Sequence, residues 1–162
     1  MWEIISSIAA AFGAIAAAVS LAFAVKTQIE SVNRTRRQAT IEAFARLQEE
    51  VLDKLASFTE KEILDAAKNC TATEGERILY YDYKVLIARL EHFAVGINEG
   101  TYDFDTFYNL GGVHVGFLYT KVKPIIVKAR NRAENGIVPF KELEKLFESI
   151  NQKAKTEGIT IH

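Results

Sequence analysis

The sequence predicts an all-α protein: a single N-terminal transmembrane helix continuing into a cytoplasmic helical bundle of about four to five helices. Three observations predict it. Ile4 to Val25 is a run of 22 residues without a charge, and only Ser6, Ser7 and Ser20 in it are polar. From Ala14 to Glu74 there is neither glycine nor proline, so nothing in the backbone forces a helix to stop. Further on, apolar residues recur at steps of three and four, the spacing of one helical face.

The first run is long enough to cross a bilayer, since roughly 20 helical residues rising about 1.5 Å each span a hydrocarbon core of about 30 Å. A helix also satisfies its own backbone hydrogen bonds in lipid. A buried helix of a soluble core would show one apolar stripe, whereas this run is apolar on every side. A cleaved signal peptide is suggested by Ala22-Phe23-Ala24. Against it, Met1-Trp2-Glu3 carries no Lys or Arg and the run exceeds a normal apolar h-region.

Within the run, Ser6, Ala10, Gly13, Ala17, Ser20 and Ala24 form a seam of small residues, while Ile8, Phe12, Ile15 and Val19 keep the same rhythm on another side. Small residues let helix backbones approach closely in lipid, so this seam predicts homo-oligomerisation through the membrane helix. Glu3 lies on one flank and Lys26, Arg34, Arg36 and Arg37 on the other. Basic flanks stay cytoplasmic, which places the chain in the cell inner membrane as a single-pass protein with its N-terminus out and its C-terminal part in the cytoplasm.

The expected divisions are a transmembrane helix over 1–26, a basic juxtamembrane stalk over 27–38, a helical bundle over 39–153 and a flexible tail over 154–162. The part after the span is large enough for one domain with its own core. A lone cysteine, Cys70, forms no internal disulfide, in keeping with a reducing compartment. The net charge of −1 argues neither for nor against nucleic acid.

Thr40, Phe44, Leu47, Val51, Leu55 and Phe58 continue a helical stripe out of the stalk. Thr59 and Glu62 have capping-box spacing and start a new helix that runs to about Lys68. Thr73 and Glu76 repeat that pattern before a helix from about Glu74 to Asn98, with the stripe Leu79, Tyr83, Leu86, Leu90, Phe93 and Ile97. Gly100 fits the position just past its end. Asp103 or Asp105 caps the next helix, whose inner face is expected at Phe107, Leu110, His114, Phe117 and Leu118. Gly111, Gly112 and Gly116 there imply close packing of another element. Pro124 is expected to kink or interrupt the helix. Asn135-Gly136 reads as a turn, Pro139 as lying near the start of the last helix, as proline at a first helical position does, and Phe140, Leu143, Phe147 and Ile150 as that helix's inner face.

Two groups of residues invite a chemical reading. Glu91, His92, Glu99, Asp103, Asp105 and His114 surround the Gly100 turn, but Glu91 and His92 are adjacent and point about 100° apart on a helix. No metal-ligand spacing, phosphate-binding glycine loop or nucleophile motif is present, so no catalytic residue, metal or cofactor is expected. Arg34, Arg36 and Arg37 in the stalk, with Lys121, Lys123, Lys128, Arg130 and Arg132, make basic patches suited to lipid headgroups or a partner. Their lack of interleaved aromatics argues against nucleic acid.

The stretch from Ile87 to Asp103, IARLEHFAVGINEGTYD, resembles a signature of small uncharacterised proteins of bacteria, archaea and phages that form a domain of unknown function. Arg89, Glu91, His92, Gly96, Gly100 and Asp103 carry the resemblance, followed by Lys123-Pro124-Ile125 and Arg130; Ala88 stands where that pattern has Asn. The resemblance implies an N-terminal membrane helix and a helical cytoplasmic part, with no established activity. Small membrane-anchored proteins of this kind are similar to effectors of anti-phage defence.

Together these features predict a non-enzymatic, membrane-anchored protein that oligomerises, its sharpest form a membrane-disrupting defence effector triggered through the cytoplasmic domain. A membrane-tethered scaffold recruiting a cytoplasmic protein is the second reading. An inner-leaflet enzyme using the Glu91/His92/Asp103/His114 region is the third.

Overall fold

α1 runs from Trp2 through Gly13 to Leu47 without interruption, and from Ala14 onward it lies in the glycine- and proline-free stretch. The structure, a computed structural model, describes the backbone over 2–69, 74–133 and 136–161, and side chains from Ala17 onward except those of residues 69 and 76. Ser6, Ala10 and Gly13 of the small-residue seam, Cys70, Thr73 and Asn135 therefore lie outside the described side chains, as does Glu76 of the second capping box.

Among the described residues the chain is entirely α- and π-helical with connecting turns. α1 passes into a π-helical turn, Gln48–Leu52, and then α2 (Asp53–Ser57). α3 (Glu60–Asn69), α4 (Glu74–Asn98) and α5 (Phe104–Phe107) follow. A second π-helical turn, Tyr108–Gly112, leads into α6 (Val113–Asn131), and α7 (Lys141–Thr156) ends the helical part. The chain divides into two units, Met1–Arg36 and Arg37–His162.

In the first unit, every described side chain from Ala17 to Thr35 is exposed. Among them are the large apolar residues Val19, Leu21, Phe23 and Val25. The hydroxyls of Thr27 and Thr35 donate back to the carbonyls of Phe23 and Ser31, and Lys26 pairs with Glu30 at 3.9 Å. Among the described residues no helix is long and apolar enough to cross a membrane. The side chains of most of the expected span, residues 4–16, lie outside the described ones.

The second unit is built on one hydrophobic core. The stripe Thr40, Phe44, Leu47, Val51 and Leu55 is buried, with Phe58 half-buried. The π turn adds one residue per turn, so Leu52 is buried beside Val51, which a uniform helical period does not foresee. α3 begins at the expected capping box: Glu62 accepts the Thr59 amide at 2.7 Å, and the Thr59 hydroxyl accepts the Glu62 amide at 3.2 Å. α4 has the expected bounds, and Tyr83, Leu90, Phe93 and Ile97 of its expected stripe are buried together with Tyr80, Ile87 and Ala94, while Leu79 and Leu86 are only half-buried.

Four expectations are corrected or narrowed. Leu110, His114 and Phe117 are exposed, because the π turn and the non-helical Gly111 rotate the face that α6 buries to Val115, Leu118, Tyr119 and Val122. α6 continues through Pro124, so of the two outcomes expected there interruption is excluded. Pro139 lies near the start of α7, as expected, but two residues before its first residue rather than within it. The tail is not free of the core: Ala154 is buried and Ile161 is 9% exposed against it. The glycines of the α5–α6 region do accept close neighbours. A Cβ on Gly111 would lie 2.8 Å from the Phe44 ring, and one on Gly116 would lie 2.8 Å from Ile161.

Candidate functional site

The signature 87–103 occupies the last turns of α4 and the loop to α5, and its residues divide by what they touch. Glu91 reaches from α4 to the start of α7. Its two carboxylate oxygens accept the amides of Glu142, at 3.1 Å, and Leu143, at 2.6 Å. α7 needs this acceptor. Its N-cap residue, Phe140, sits in the left-handed region at φ 60° and has no side-chain oxygen with which to cap the helix. A carboxylate there also lies at the positive end of the helix dipole. Asn98 adds its side-chain amide, donating to the Glu142 carbonyl and carboxylate at 2.9 Å each. Lys145 and then Asn98 hold the Glu142 carboxyl below the usual range.

Gly96, Gly100 and Asp103 shape the loop. Gly100 takes a positive φ of 72°, which costs a side-chain-bearing residue about 1–2 kcal/mol. A Cβ on Gly96 would overlap the Tyr102 ring, which folds back to stack on Phe93 at 5.3 Å. Asp103 caps α5 by accepting the Thr106 amide at 2.8 Å, and its own amide donates to the buried Thr40 hydroxyl at 2.7 Å. Phe93, Phe44 and Phe107 then pack as an aromatic cluster joining α4, α1 and α5.

Arg89, His92 and Tyr102 face a groove of about 400 Å³ between α1 and α4, opposite Arg46 and Glu50. Arg89 and Glu50 form an ion pair across it. Both side chains are about half exposed, so the pair adds little to stability. The cluster read from the sequence is not assembled as one site: Glu91 turns to α7, Asp103 caps α5, His92 lines the groove and His114 lies on an exposed face of α6. Among the described residues no group of three or more His, Cys, Asp or Glu is arranged to hold a metal.

Three of the later basic residues have structural partners. The Lys121 ammonium donates to the carbonyls of Leu55 and Ala56 at 3.1 and 3.0 Å, closing the C-terminal end of α2. Arg130 donates to the carbonyls of Pro139 and Phe140 and pairs with Glu144 at 3.0 Å, fixing the turn before α7. That carboxylate pushes the Arg130 pKa further up. Arg132 lies over the Tyr80 ring at 5.8 Å. Lys123 and Lys128 line a separate groove with α3. In the stalk, Arg34 and Arg37 are exposed and Arg36 is half-buried. Ala17, Ser20 and Ala24, the described part of the small-residue seam, are exposed.

The role of Glu91 was not readable from sequence, because its partners lie 51 and 52 residues away. The only local clue is that α7 starts without a Ser, Thr, Asp or Asn at its N-cap.

Residues 7–150 match the model of a family described as a domain of unknown function, DUF4760, in agreement with the resemblance carried by 87–103. No curated protein and no solved structure matches the chain.

Proposed function

The chain belongs to the DUF4760 family, whose function is unknown, and from its own residues we propose a membrane-anchored, non-enzymatic protein that assembles through its N-terminal helix. The uncharged run from Ile4 to Val25 is the span, N-terminus out, and the unit Arg37–His162 is its cytoplasmic domain. In the sharpest form of this reading, a signal received by that domain leads the membrane helices to assemble and breach the membrane, as a defence effector would.

The observation that carries the proposal is the exposure of Val19, Leu21, Phe23 and Val25. They sit on consecutive turns and different sides of one helix, and a continuous apolar surface of that kind calls for lipid or another helix to cover it. The hydrogen bonds of Glu91 and Asp103 support a non-enzymatic role, since helix capping accounts for them.

The test is the double substitution Gly13→Leu with Ala17→Leu. Bulk on the small face separates helix backbones while insertion propensity is kept. The expected result is a protein that still fractionates with membranes but no longer gives crosslinked oligomers or expression toxicity. Ile8→Leu with Ile15→Leu is the control and should behave as wild type. Unchanged oligomers in the first variant would leave a membrane-tethered scaffold as the better reading.

A further inference from the structure

A second apolar face lies on the cytoplasmic unit, where α3 packs on α6. Leu64 is 42% exposed, Phe117 43% and Val127 45%, and each would normally be covered in a core. Leu64, Pro124 and Val127 line a groove of about 530 Å³, and the charged side chains around it are Lys68, Lys123 and Lys128, with no acid among its lining residues. An adjoining hollow of about 600 Å³ extends the face to Phe117, with Glu60 as its one acidic residue and Lys121 already engaged by α2. An apolar floor ringed by lysines is the make-up of a surface that lies in a lipid headgroup layer, apolar side chains inward and ammonium groups at the phosphates.

We infer that the α3–α6 face docks the cytoplasmic unit onto an anionic lipid surface, an inference that rests on the membrane anchoring proposed above. Charge complementarity names the occupant: three lysines and no acid around one groove match a surface of phosphate headgroups. Chain continuity favours it over a free acidic protein. Only the segment 26–36 joins the proposed span to this unit, so contact with the bilayer is an intramolecular step at high effective concentration. Each lysine near an anionic surface favours the bound state about fivefold. Loss of Lys123 and Lys128 together should then cut the ratio of docked to undocked protein about twenty-fivefold.

The test uses the full chain with Cys70→Ser, reconstituted in nanodiscs of phosphatidylcholine with or without phosphatidylglycerol. A polarity-sensitive fluorophore is attached at Val127→Cys, or at the exposed α4 position Val85→Cys as the control. Lipids carrying a nitroxide quencher should quench the label at 127 only in discs containing phosphatidylglycerol, and should leave the label at 85 bright. Lys123→Gln with Lys128→Gln should abolish that quenching while the chain still co-elutes with discs and melts as before. Should that pair unfold the unit, high salt on the unsubstituted lysines reads the same charge dependence. A label at 127 that stays bright in both lipids, or equal quenching at 127 and 85, overturns the docking face while co-elution keeps the anchor. A chain that enters neither disc removes the anchor, and with no lipid contact at 127 removes docking too.

Discussion

Glu91, near the end of α4, holds the first amides of α7 by standing 2.6 Å from the backbone nitrogen of Leu143. A half-buried carboxylate thus replaces the cap that Phe140 cannot provide. Glu91→Ala should lower stability by about 1–3 kcal/mol, the cost of removing a cap made by a charged acceptor. Glu91→Gln, which keeps one acceptor oxygen, should cost less. Urea unfolding measures both, and an unchanged midpoint for Glu91→Ala would mean that α7 does not depend on this contact.

The glycines give opposite predictions by position. Gly111→Ala forces a Cβ to within 2.8 Å of the Phe44 ring in the aromatic cluster and should cost about 1–3 kcal/mol, as overpacking does. Gly75, in the first turn of α4, has nothing within 4 Å of its Cβ position. Gly75→Ala should raise stability by about 0.5–1 kcal/mol through helix propensity alone. Thermal melts of the two variants should move in opposite directions.

Acid should loosen the capping box. The Thr59 amide, and after it the Thr59 hydroxyl, lowers the Glu62 pKa from its ordinary 4.5. A depressed carboxylate stabilises the fold above its unfolded pKa, and that contribution is lost as pH falls through the folded value. The melting temperature should therefore fall as pH drops below about 4.5, and Glu62→Gln should show a shallower fall. Parallel pH profiles for the two proteins would assign the acid sensitivity elsewhere.

Much of this fold was legible because its signals are local. The Thr59–Glu62 box, the limits of α4 and the Asp103 cap each depend on residues three or four apart, and the structure has all of them. What sequence periodicity missed came from two causes. The π turns at Gln48–Leu52 and Tyr108–Gly112 shift the helical register, which buried Leu52 and exposed His114 and Phe117. Contacts at long separation, such as Glu91 to α7 and Lys121 to Leu55, leave no periodic trace. The signature residues were visible as a group with no chemical spacing among them, but that most of them shape a loop and cap two helices was not, since Glu91 finds its partners in α7.

Tyr83 is fully buried with its ring against Phe58, and among the described residues its hydroxyl has no hydrogen-bond partner. Burial, and secondly the Glu62 carboxylate, raise its pKa above the ordinary 10.0. Removing an unpaired buried hydroxyl relieves a desolvation cost, so Tyr83→Phe should be neutral or stabilising by up to about 1 kcal/mol. A raised phenol pKa contributes stability below the unfolded value, lost as pH rises through the folded one. Tyr83→Phe should therefore also lose less stability than wild type when the pH is taken above about 10. A clear drop in urea midpoint at neutral pH would mean that the hydroxyl is bonded after all.

The end of the chain offers the sharpest contrast between a frayed tail and a packed one. Ile159 donates its amide to Ala154 at 2.9 Å, which turns the chain back after α7, and Gly158 takes a φ of 77° to allow it. Ile161 then lies against α6 where Gly116 has no side chain, with Ile150 beside it. A frayed residue tolerates any substitution, whereas a packed isoleucine truncated to alanine costs about 2 kcal/mol or more. Ile161→Ala should therefore lower the urea midpoint measurably. Gly116→Ala alone should also destabilise, because its Cβ would come within 2.8 Å of the Ile161 side chain. The two together should cost less than the sum, since the shortened side chain leaves room for the new methyl, and contacting residues couple in this way. Strict additivity in that double-mutant cycle would show that the two residues do not touch in solution, and would return the last residues to the free tail expected from sequence.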